Sequence, residues 1–436
     1  MNFQESLRYL YNLGYELSVK KFGLENTFKL LEALNNPEKN YLKVQVAGTN
    51  GKGSTCAFLD AICVSANIKT GLYTSPHLIS VTERIKVGGR EIGEEDFAAH
   101  ATRIREASEK LVENGELDAL PTFFEQVTAI ALSYFAEEKV EIAILETGIG
   151  GRFDATTATR AEIAAITRID FDHQDILGNS LAEIASEKAA IIRADTPFVL
   201  GEQTDEAKKV ILDRCASLAV SPKFAQAVIA NQRGENALTF QTEKAVYENV
   251  RLNLQGKHQI ENAKVAVLLA EILQENFKIS PENIIEGLQT AIHRGRLEFY
   301  KNILFDGAHN SSGARALREY LDEFIRQPVT MIFGAMNDKD LSEIGAILFP
   351  KAEKLIFTKP DNPRSTDASE LMQFLPENFD KGNVFEVERV EDALKKAFEI
   401  SAAENLICVT GSLYLVGEAQ KILSNPSFLS IERRLP

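Results

Sequence analysis

The sequence predicts an α/β protein of two units: a large N-terminal domain around a doubly wound, mainly parallel sheet, and a smaller C-terminal α/β domain. Three observations predict it. First, a β-prone run at 41–47 leads through a glycine-rich loop into an apolar, helix-compatible stretch at 54–66. Second, short apolar runs recur at 140–145 (VEIAIL), 161–166 (AEIAAI) and 197–200 (PFVL), with helical spacing between them around 128–136 and 181–192. Runs of this length without polar alternation fit buried parallel strands, and their alternation with helices fits a doubly wound sheet. Third, the same rhythm resumes on a smaller scale after residue 300.

The elements follow in order. Residues 1–40 read as helical, with Leu7, Leu10 and Tyr11, then Leu30, Leu31 and Leu34, at helix-like spacings. In the C-terminal unit, strand-like 303–305 precedes a helix at 314–325, 329–333 precedes 341–348, and 354–357 precedes 368–374. Then come 383–387, a helix near 393–400, the run 406–409 and a final helix. The boundary falls near 293–302, which leaves a second unit of roughly 135 residues, an ordinary domain size. No short-period repeat or low-complexity tract interrupts the pattern.

Bulk properties narrow the function classes. The 436 residues are enough for two or three domains. A content of 44% hydrophobic and 25% charged residues is that of a folded globular chain. The net charge of -15 argues against nucleic acid as a partner, although a local basic pocket can still hold an anion. The four cysteines, Cys56, Cys63, Cys215 and Cys408, form no CxxC pair, so neither a structural zinc site nor a redox motif is expected. Scattered cysteines fit a reducing cytoplasm. The first residues carry Glu5 and Arg8 where a signal peptide would be apolar, and no apolar run reaches the ~18 residues of a membrane span. A cytoplasmic location without membrane or nucleic-acid contact is the expectation.

The loop VAGTNGKGSTCAF at 46–58 departs from the common phosphate-loop pattern G-x-x-x-x-G-K-[ST]. Val46 stands where that pattern has glycine, and Gly53 separates Lys52 from the hydroxyls Ser54 and Thr55. The physics still favours a phosphate cradle over a tight turn with a solvated lysine. Glycines let successive N–H groups curl toward an anion, and the following helix adds its positive end. Lys52 supplies a point charge, and Ser54 or Thr55 can reach Mg²⁺. Glu146 ends the next apolar run in ILETGIGGR, at a strand end where ligands of such sheets bind. Mg²⁺ takes oxygen ligands, usually only one or two of them carboxylates. His173 follows another strand in TRIDFDHQDILG, among Asp170, Asp172 and Asp175. Metal or phosphate contact and a structural role are evenly balanced there. Lys188, in SEKAAIIR, reads by spacing as a surface lysine paired with Glu187 or with a carboxylate one turn away.

Ten motifs occur in one order: GTNGKGS (48–54), YTSPHL (73–78), ERIKVGG (83–89), LETGIGGRFDAT (145–156), DHQDILG (172–178), EKAAIIR (187–193), GKHQIENA (256–263), GRLE (295–298), FDGAHN (305–310) and TGSLYLVGE (410–418). Together they resemble the bacterial dihydrofolate synthase/folylpolyglutamate synthase family, a branch of the Mur ligase superfamily, nearly end to end. The set is specific, although any single motif is weak. The resemblance implies an N-terminal P-loop-type ATPase domain, residues 1–297, closing on a C-terminal Rossmann-like domain, residues 298–436. It also implies an ATP-dependent carboxylate–amine ligase. ATP activates a pterin substrate's carboxylate as an acyl phosphate, and the α-amine of L-glutamate displaces phosphate.

By position, the resemblance puts nucleotide contacts on Thr49, Asn50, Gly51, Lys52, Gly53, Ser54, Asn262, Arg296, Asp306 and His309. Metal ligands fall on Ser54, Ser75, Glu146 and His173, and catalytic roles on Lys52, His173 and Lys188. It makes Lys188 a carbamylated lysine, an assignment opposite to the one its spacing gives. The pterin site falls on Gly23, Leu24, Thr122, Phe123, Phe124, Phe153, Asp154 and Ala155. Mg²⁺ and a monovalent cation such as K⁺ join ATP as cofactors, dihydropteroate or folate and L-glutamate are the substrates, and the chain acts as a monomer.

The chain departs from the family pattern in three places. HRGRLE lacks the tryptophan-proline common before this arginine, EKAAIIR replaces EKAGIIK, and DATTATRAE replaces DATN. Two other readings are a Mur-type ligase for a different acid and amino acid, and a nucleotide-binding protein without amide chemistry. The combination of GTNGKGS, TSPHL and DGAHN favours the folate branch over cell-wall precursor ligation.

Overall fold

The structure is a computed structural model that describes residues 1–14, 23–232, 237–425 and 428. The helical reading over 15–22 lies outside the described residues. Three sheets organise the described residues. The first has eight strands: β1 (Leu42–Ala47), β2 (Thr70–Tyr73), β3 (Ile85–Val87), β4 (Arg90–Glu91), β5 (Ile142–Glu146), β6 (Ile163–Ile166), β7 (Phe198–Leu200) and β8 (Lys223–Phe224). Their order is β4-β3-β2-β5-β1-β6-β7-β8. Strands β2, β5, β1, β6, β7 and β8 are parallel, and the β3–β4 hairpin adds an antiparallel edge. A small antiparallel sheet joins β9 (Ile229–Gln232), β10 (Leu238–Gln241) and β11 (Val246–Val250).

The third sheet holds β12 (Glu298–Tyr300), β13 (Ile303–Asp306), β14 (Val329–Phe333), β15 (Lys354–Phe357), β16 (Val384–Glu386) and β17 (Leu406–Thr410), ordered β12-β13-β17-β14-β15-β16. All its pairings are parallel except β12 with β13. Mixed α/β architecture with two major sheets is thus what the apolar runs anticipate.

Burial explains why β1 reads as a continuous strand rather than an alternating one. Val44 and Val46 face one layer of helices and Lys43 and Gln45 the other, and all four are buried. The polar pair is satisfied. Gln45 Nε2 donates to Thr147, Thr156 and Thr157 hydroxyls, and Lys43 Nζ donates to the carbonyls of Glu38 and Tyr41. On one face the helix Lys52–Ser65 packs with Lys257–Leu273 and Pro281–Thr290. Phe58 and Ile62 are fully buried there, each stabilising by roughly 1.5–3 kcal/mol. The other face is covered by Glu94–Glu113 and Phe123–Glu137 beside β2 and β5, and by Leu181–Ala189 and Asp205–Ser217 beside β6 and β7.

Helices Ser311–Phe324 and Leu341–Leu348 cover one side of the third sheet, and Val390–Ile400 and Leu413–Leu423 the other. Among the described residues, no helix is long and apolar enough to cross a membrane.

Strands β1, β5 and β6 all end on the side where the C-terminal end of β13 approaches. This is the crevice where ligands of open parallel sheets bind.

Candidate active site

The loop after β1 is held in place before any ligand arrives. Thr49 and Asn50 N–H groups donate to Arg168 O, and Thr49 Oγ1 donates to Asp170 O at 2.9 Å. Thr167 Oγ1 donates to Asn50 O at 2.8 Å. Gly51 then caps the helix Lys52–Ser65 at φ 87° with no side-chain cap. That backbone conformation favours glycine, and a Cβ there would lie 2.1 Å from Asn262 Oδ1. With no capping side chain, the first-turn N–H groups face the crevice as an anion site. Lys52 Nζ donates to Thr49 O at 3.1 Å, so its ammonium already lies over the loop. Behind the loop, Gln259 Nε2 donates to Ser54 Oγ at 3.2 Å and Asn262 Nδ2 to Gln259 Oε1 at 2.9 Å. Sequence reasoning singles out Asn262 in GKHQIENA but passes over Gln259, the residue that ties Asn262 to Ser54.

Glu146 is buried at the end of β5, and its Oε2 accepts the Ser75 N–H at 3.0 Å. Burial raises its carboxyl above the usual range, while Lys52, the Ser75 N–H, Arg296 and Arg84 oppose the rise. The interrupting glycine, Gly53, lies against Glu146 and His293: an added Cβ would sit 3.3 Å from Glu146 Oε1 and 2.7 Å from the His293 ring. Burial, with Arg296 and Lys86 nearby, pushes His293 down to about 3.

Lys188 corrects the spacing-based reading. It is no surface lysine but 4% exposed, and its Nζ donates to Gly48 O at 2.9 Å. The partner is 140 positions away, so helical spacing could not report it. Burial, then the Lys52 charge, lowers its amine to about 7 against the pull of Asp172 and Asp154.

His173 adopts φ 50° at the start of the short helix Gln174–Leu177. Burial pushes its ring down to about 4, with Lys339, His309 and Lys188 adding to the effect and Asp172 opposing it. Its neighbour Asp172 is where the two major sheets meet. Asp172 takes Lys339 Nζ at 2.7 Å, Asn310 Nδ2 at 3.1 Å and His309 Nε2 at 3.5 Å, all from the C-terminal unit. Burial pushes the Asp172 carboxyl up, but the His309 hydrogen bond and the nearby His173, His309 and Lys339 hold it well below the usual range. His309 Nδ1 donates to Gly307 O at 2.7 Å, which aims Nε2 at Asp172. Asn310 Nδ2 also donates to Asn50 Oδ1 at 3.2 Å, on the loop itself. Asp306 is buried and accepts the Leu297 and Ala308 N–H groups at 3.0 Å each. Arg296 Nη1 donates to Gly307 O at 3.3 Å. Sequence reasoning misses Lys339, because NDKD carries no local signal beyond a polar turn.

The candidate metal residues form two groups. Ser54, Ser75 and Glu146 gather at the loop, and His173 lies with the Asp172 cluster. Among the described residues, no three His, Cys, Asp or Glu side chains form a metal-binding group.

The aromatic candidates also differ. Phe123 is buried, stacked on Tyr11 at 5.5 Å and 7°, with the Arg84 guanidinium 5.3 Å above its ring. Phe124 packs against Gly148 and, tilted, against Tyr73. Phe153 is 47% exposed. Asp154 is buried and accepts the Gly148, Ile149 and Thr156 N–H groups, shaping the loop that carries Phe153. Thr122 caps the helix Phe123–Glu137, Ala155 opens the turn Ala155–Thr159, and Gly23 and Leu24 precede the helix Glu25–Ala33.

Residues 46–270 match the Mur ligase middle domain, and residues 295–413 match the Mur ligase glutamate ligase domain. The dihydrofolate synthase/folylpolyglutamate synthase of Bacillus subtilis is 36% identical over 418 residues, covering 92% of this chain and 95% of that protein. A probable bifunctional folylpolyglutamate synthase/dihydropteroate synthase of Haloferax volcanii is also 36% identical, but the chain spans about half of its length (50%). Among solved structures, Mycobacterium tuberculosis folylpolyglutamate synthase complexed with ADP and AMPPCP superposes with a TM-score of 0.89 at 29% identity, over 97% of this chain and 99% of that one. A bifunctional folylpolyglutamate synthase/dihydrofolate synthase with Mn, AMPPNP and L-glutamate bound gives a TM-score of 0.84 at 30% identity, over 98% of both chains.

Proposed function

The chain belongs to the Mur ligase family, in its dihydrofolate synthase/folylpolyglutamate synthase branch, and on that premise we propose that it joins L-glutamate to dihydropteroate, to reduced folates, or to both, at the expense of ATP. The observation that carries this reading is the pairing of Lys188 with the phosphate loop. A buried amine whose pKa is lowered to about 7, so that a large share of it is neutral near pH 7, sits at the head of the cradle, 2.9 Å from Gly48 O. A simple phosphate site has no use for an uncharged lysine there.

Chemical need fits these groups. A carboxylate is a poor acyl donor, because oxide would have to leave. The substrate carboxylate oxygen takes the γ-phosphoryl group as the bond to ADP breaks. The glutamate amine then attacks the acyl carbon, loses a proton, and expels phosphate. Both steps bring anions together, so fixed cations and N–H groups must screen them. Lys52 and the open first turn at 51–54 face the phosphates. Asn262 and Arg296 lie behind and beside the loop, and Asp306 and His309 approach from the C-terminal unit.

The donor set suits a divalent cation, since Glu146 is a buried carboxylate with only partial charge compensation beside two serines. Such an ion supplies charge neutralisation when bound. Ser54, Ser75 and Glu146 would hold it, and His173 lies on the same side of the crevice, beside Asp172.

A neutral Lys188 amine can attack CO₂ and release a proton, which turns the uncharged amine into an anionic carbamate. That group would orient the substrate phosphate and its ion. Phe153 on the 148–155 loop, with Phe124 behind it, offers a flat surface for a pterin ring.

The test is phosphate release with ATP and Mg²⁺, with and without K⁺, offering dihydropteroate or tetrahydrofolate, each with and without glutamate. Glutamate-dependent turnover on dihydropteroate identifies the synthase, and turnover only on tetrahydrofolate identifies chain extension. No turnover with either acid leaves the Mur-type ligase for another acid in place and removes the folate reading.

A further inference from the structure

Gln259, in the first turn of the helix Lys257–Leu273, is 1% exposed and holds three side chains at once. Its Nε2 donates to Ser54 Oγ at 3.2 Å and lies 3.2 Å from His258 Nε2, and its Oε1 accepts Asn262 Nδ2 at 2.9 Å. An amide nitrogen only donates, so His258 Nε2 accepts and that ring carries its proton on Nδ1. Burial, with Arg296 nearby, pushes His258 down to about 4, which keeps the nitrogen available as an acceptor. Turning the amide over would set its nitrogen against Asn262 Nδ2, donor against donor. Both amide hydrogens are thus engaged inside the protein, and Gln259 has no donor left for a ligand.

The effect falls on Ser54, which is 4% exposed in the first turn of the helix Lys52–Ser65. A serine inside a helix tends to turn its hydroxyl back to the carbonyl four residues earlier. Here that carbonyl is Asn50 O, which already accepts the Thr167 hydroxyl at 2.8 Å. The hydrogen bond from Gln259 occupies one lone pair of Ser54 Oγ and fixes where the oxygen lies, leaving a second lone pair. Asn262, which holds the other end of the amide, is itself set against the loop. Thr55 Oγ1 donates to its carbonyl at 3.5 Å, and a Cβ at Gly51 would lie 2.1 Å from its Oδ1.

We propose that Gln259 is a positioning residue: it holds the Ser54 hydroxyl oxygen ready for the divalent cation that accompanies the nucleotide, and touches neither ion nor nucleotide itself. This rests on the ligase reading for Ser54 as a ligand of that cation. A hydroxyl is a weak ligand beside a carboxylate, so its contribution depends on being held in place before the ion arrives. Outer partners of this kind orient the ligands they touch, and losing one weakens metal binding about 10–100-fold. The tie comes from 205 positions away, so the helix Lys257–Leu273 helps to shape the ion site without lining it.

The probe is Mn²⁺ in the presence of ADP, with the full chain, and free Mn²⁺ is read from its aqueous EPR signal. Gln259→Met, similar in length but without the amide, should bind Mn²⁺ in the ADP complex about tenfold more weakly. Its affinity for ADP without metal should stay close to that of wild type. Gln259→Asn, which stays polar but is one carbon shorter, guards against misfolding of the methionine variant and should show the same loss. Ser54→Ala separates positioning from packing. A positioning role needs the hydroxyl, so adding Gln259→Met to Ser54→Ala should cost little further Mn²⁺ affinity, whereas a packing role would cost the same factor in either background. Mn²⁺ affinity unchanged in both Gln259 variants, an equal loss in the Ser54→Ala background, or an equal loss of metal-free ADP binding overturns the proposal and leaves the ligase reading standing. No Mn²⁺·ADP binding by wild type overturns both.

Discussion

Lys339 Nζ lies 2.7 Å from Asp172 Oδ1, each side chain 8% exposed, in an ion pair that spans the crevice between the two major sheets. Asp172 adjoins His173, and Asn310 links the same cluster to Asn50 of the phosphate loop. The pair thus closes the C-terminal unit directly over the loop. Breaking a buried pair from one side leaves a charge unsatisfied, at about 3–5 kcal/mol. Asn310 and His309 retain part of that cost. Lys339→Met should therefore lower kcat/KM for ATP by up to about 100-fold, from ~3 kcal/mol or less, and enlarge the radius of gyration in small-angle scattering. Asp172→Asn keeps an acceptor and should do less. An unchanged scattering profile in Lys339→Met would show that other contacts hold the units together.

Lys188 should make stability depend on pH with a definite sign. Its amine is near 7 in the folded protein against an ordinary 10.5. Between those values the unfolded chain binds the extra proton, so stability rises as pH rises. Below about 7 the folded amine must be charged in a buried site, and the stabilisation is absent. Lys188→Met removes the titration. In CO₂-free buffer, denaturant unfolding should show wild type gaining about 2 kcal/mol on the variant from pH 7 to pH 9. The variant should also lose most activity while keeping its fold. Near-wild-type turnover would remove the carbamate role.

Gly51 tests the geometry of the cradle. Its φ of 87° is one that L side chains rarely adopt, and a Cβ would meet Asn262 Oδ1 at 2.1 Å. Gly51→Ala must therefore displace the loop or Asn262. ADP affinity should fall more than tenfold, from at least ~1.4 kcal/mol of strain, measured by titration calorimetry. Asn262→Ala in the same background should recover part of the loss by clearing the collision.

Much of this was legible in the sequence, and the exceptions have physical causes. Strands β1, β5, β6 and β7 announce themselves because they are buried on both faces and read as unbroken apolar runs. β9 and β11 do not, since most of their residues are exposed or half-buried and the sheet packs through Phe240 and Tyr247. β2 is four residues, TGLY, too short and glycine-containing to signal a strand. The helix Glu94–Glu113 passes unnoticed for a different reason, since its face is polar enough to hide Phe97 and Ile104. At the site, residues beside glycines or at strand ends carry local marks. Lys188 and Lys339 carry none, because their environments are built by partners 140 and 167 positions away.

The aromatic residues near the proposed acid site should separate cleanly into support and contact. Phe123 is buried, with Tyr11 stacked on it and the Arg84 guanidinium over its ring, and Arg84 Nε in turn donates to His77 Nδ1 at 2.8 Å. A ring so enclosed offers little surface to a ligand. Phe123→Ala should cost about 3–5 kcal/mol of stability and lower activity mainly through loss of folded protein near the melting temperature. Phe153 is 47% exposed on the loop that Asp154 shapes, so less of its surface is buried than that of Phe123. Phe153→Ala should leave the melting temperature within a degree or two, from ~0.5 kcal/mol or less. It should raise KM for the pterin acid about tenfold, from ~1.4 kcal/mol of lost ring contact, with KM for ATP unchanged. Thermal melts and initial rates on both variants decide it. A selective KM effect from Phe123 at full stability, with none from Phe153, would place the ring site on the other side of the helix Phe123–Glu137.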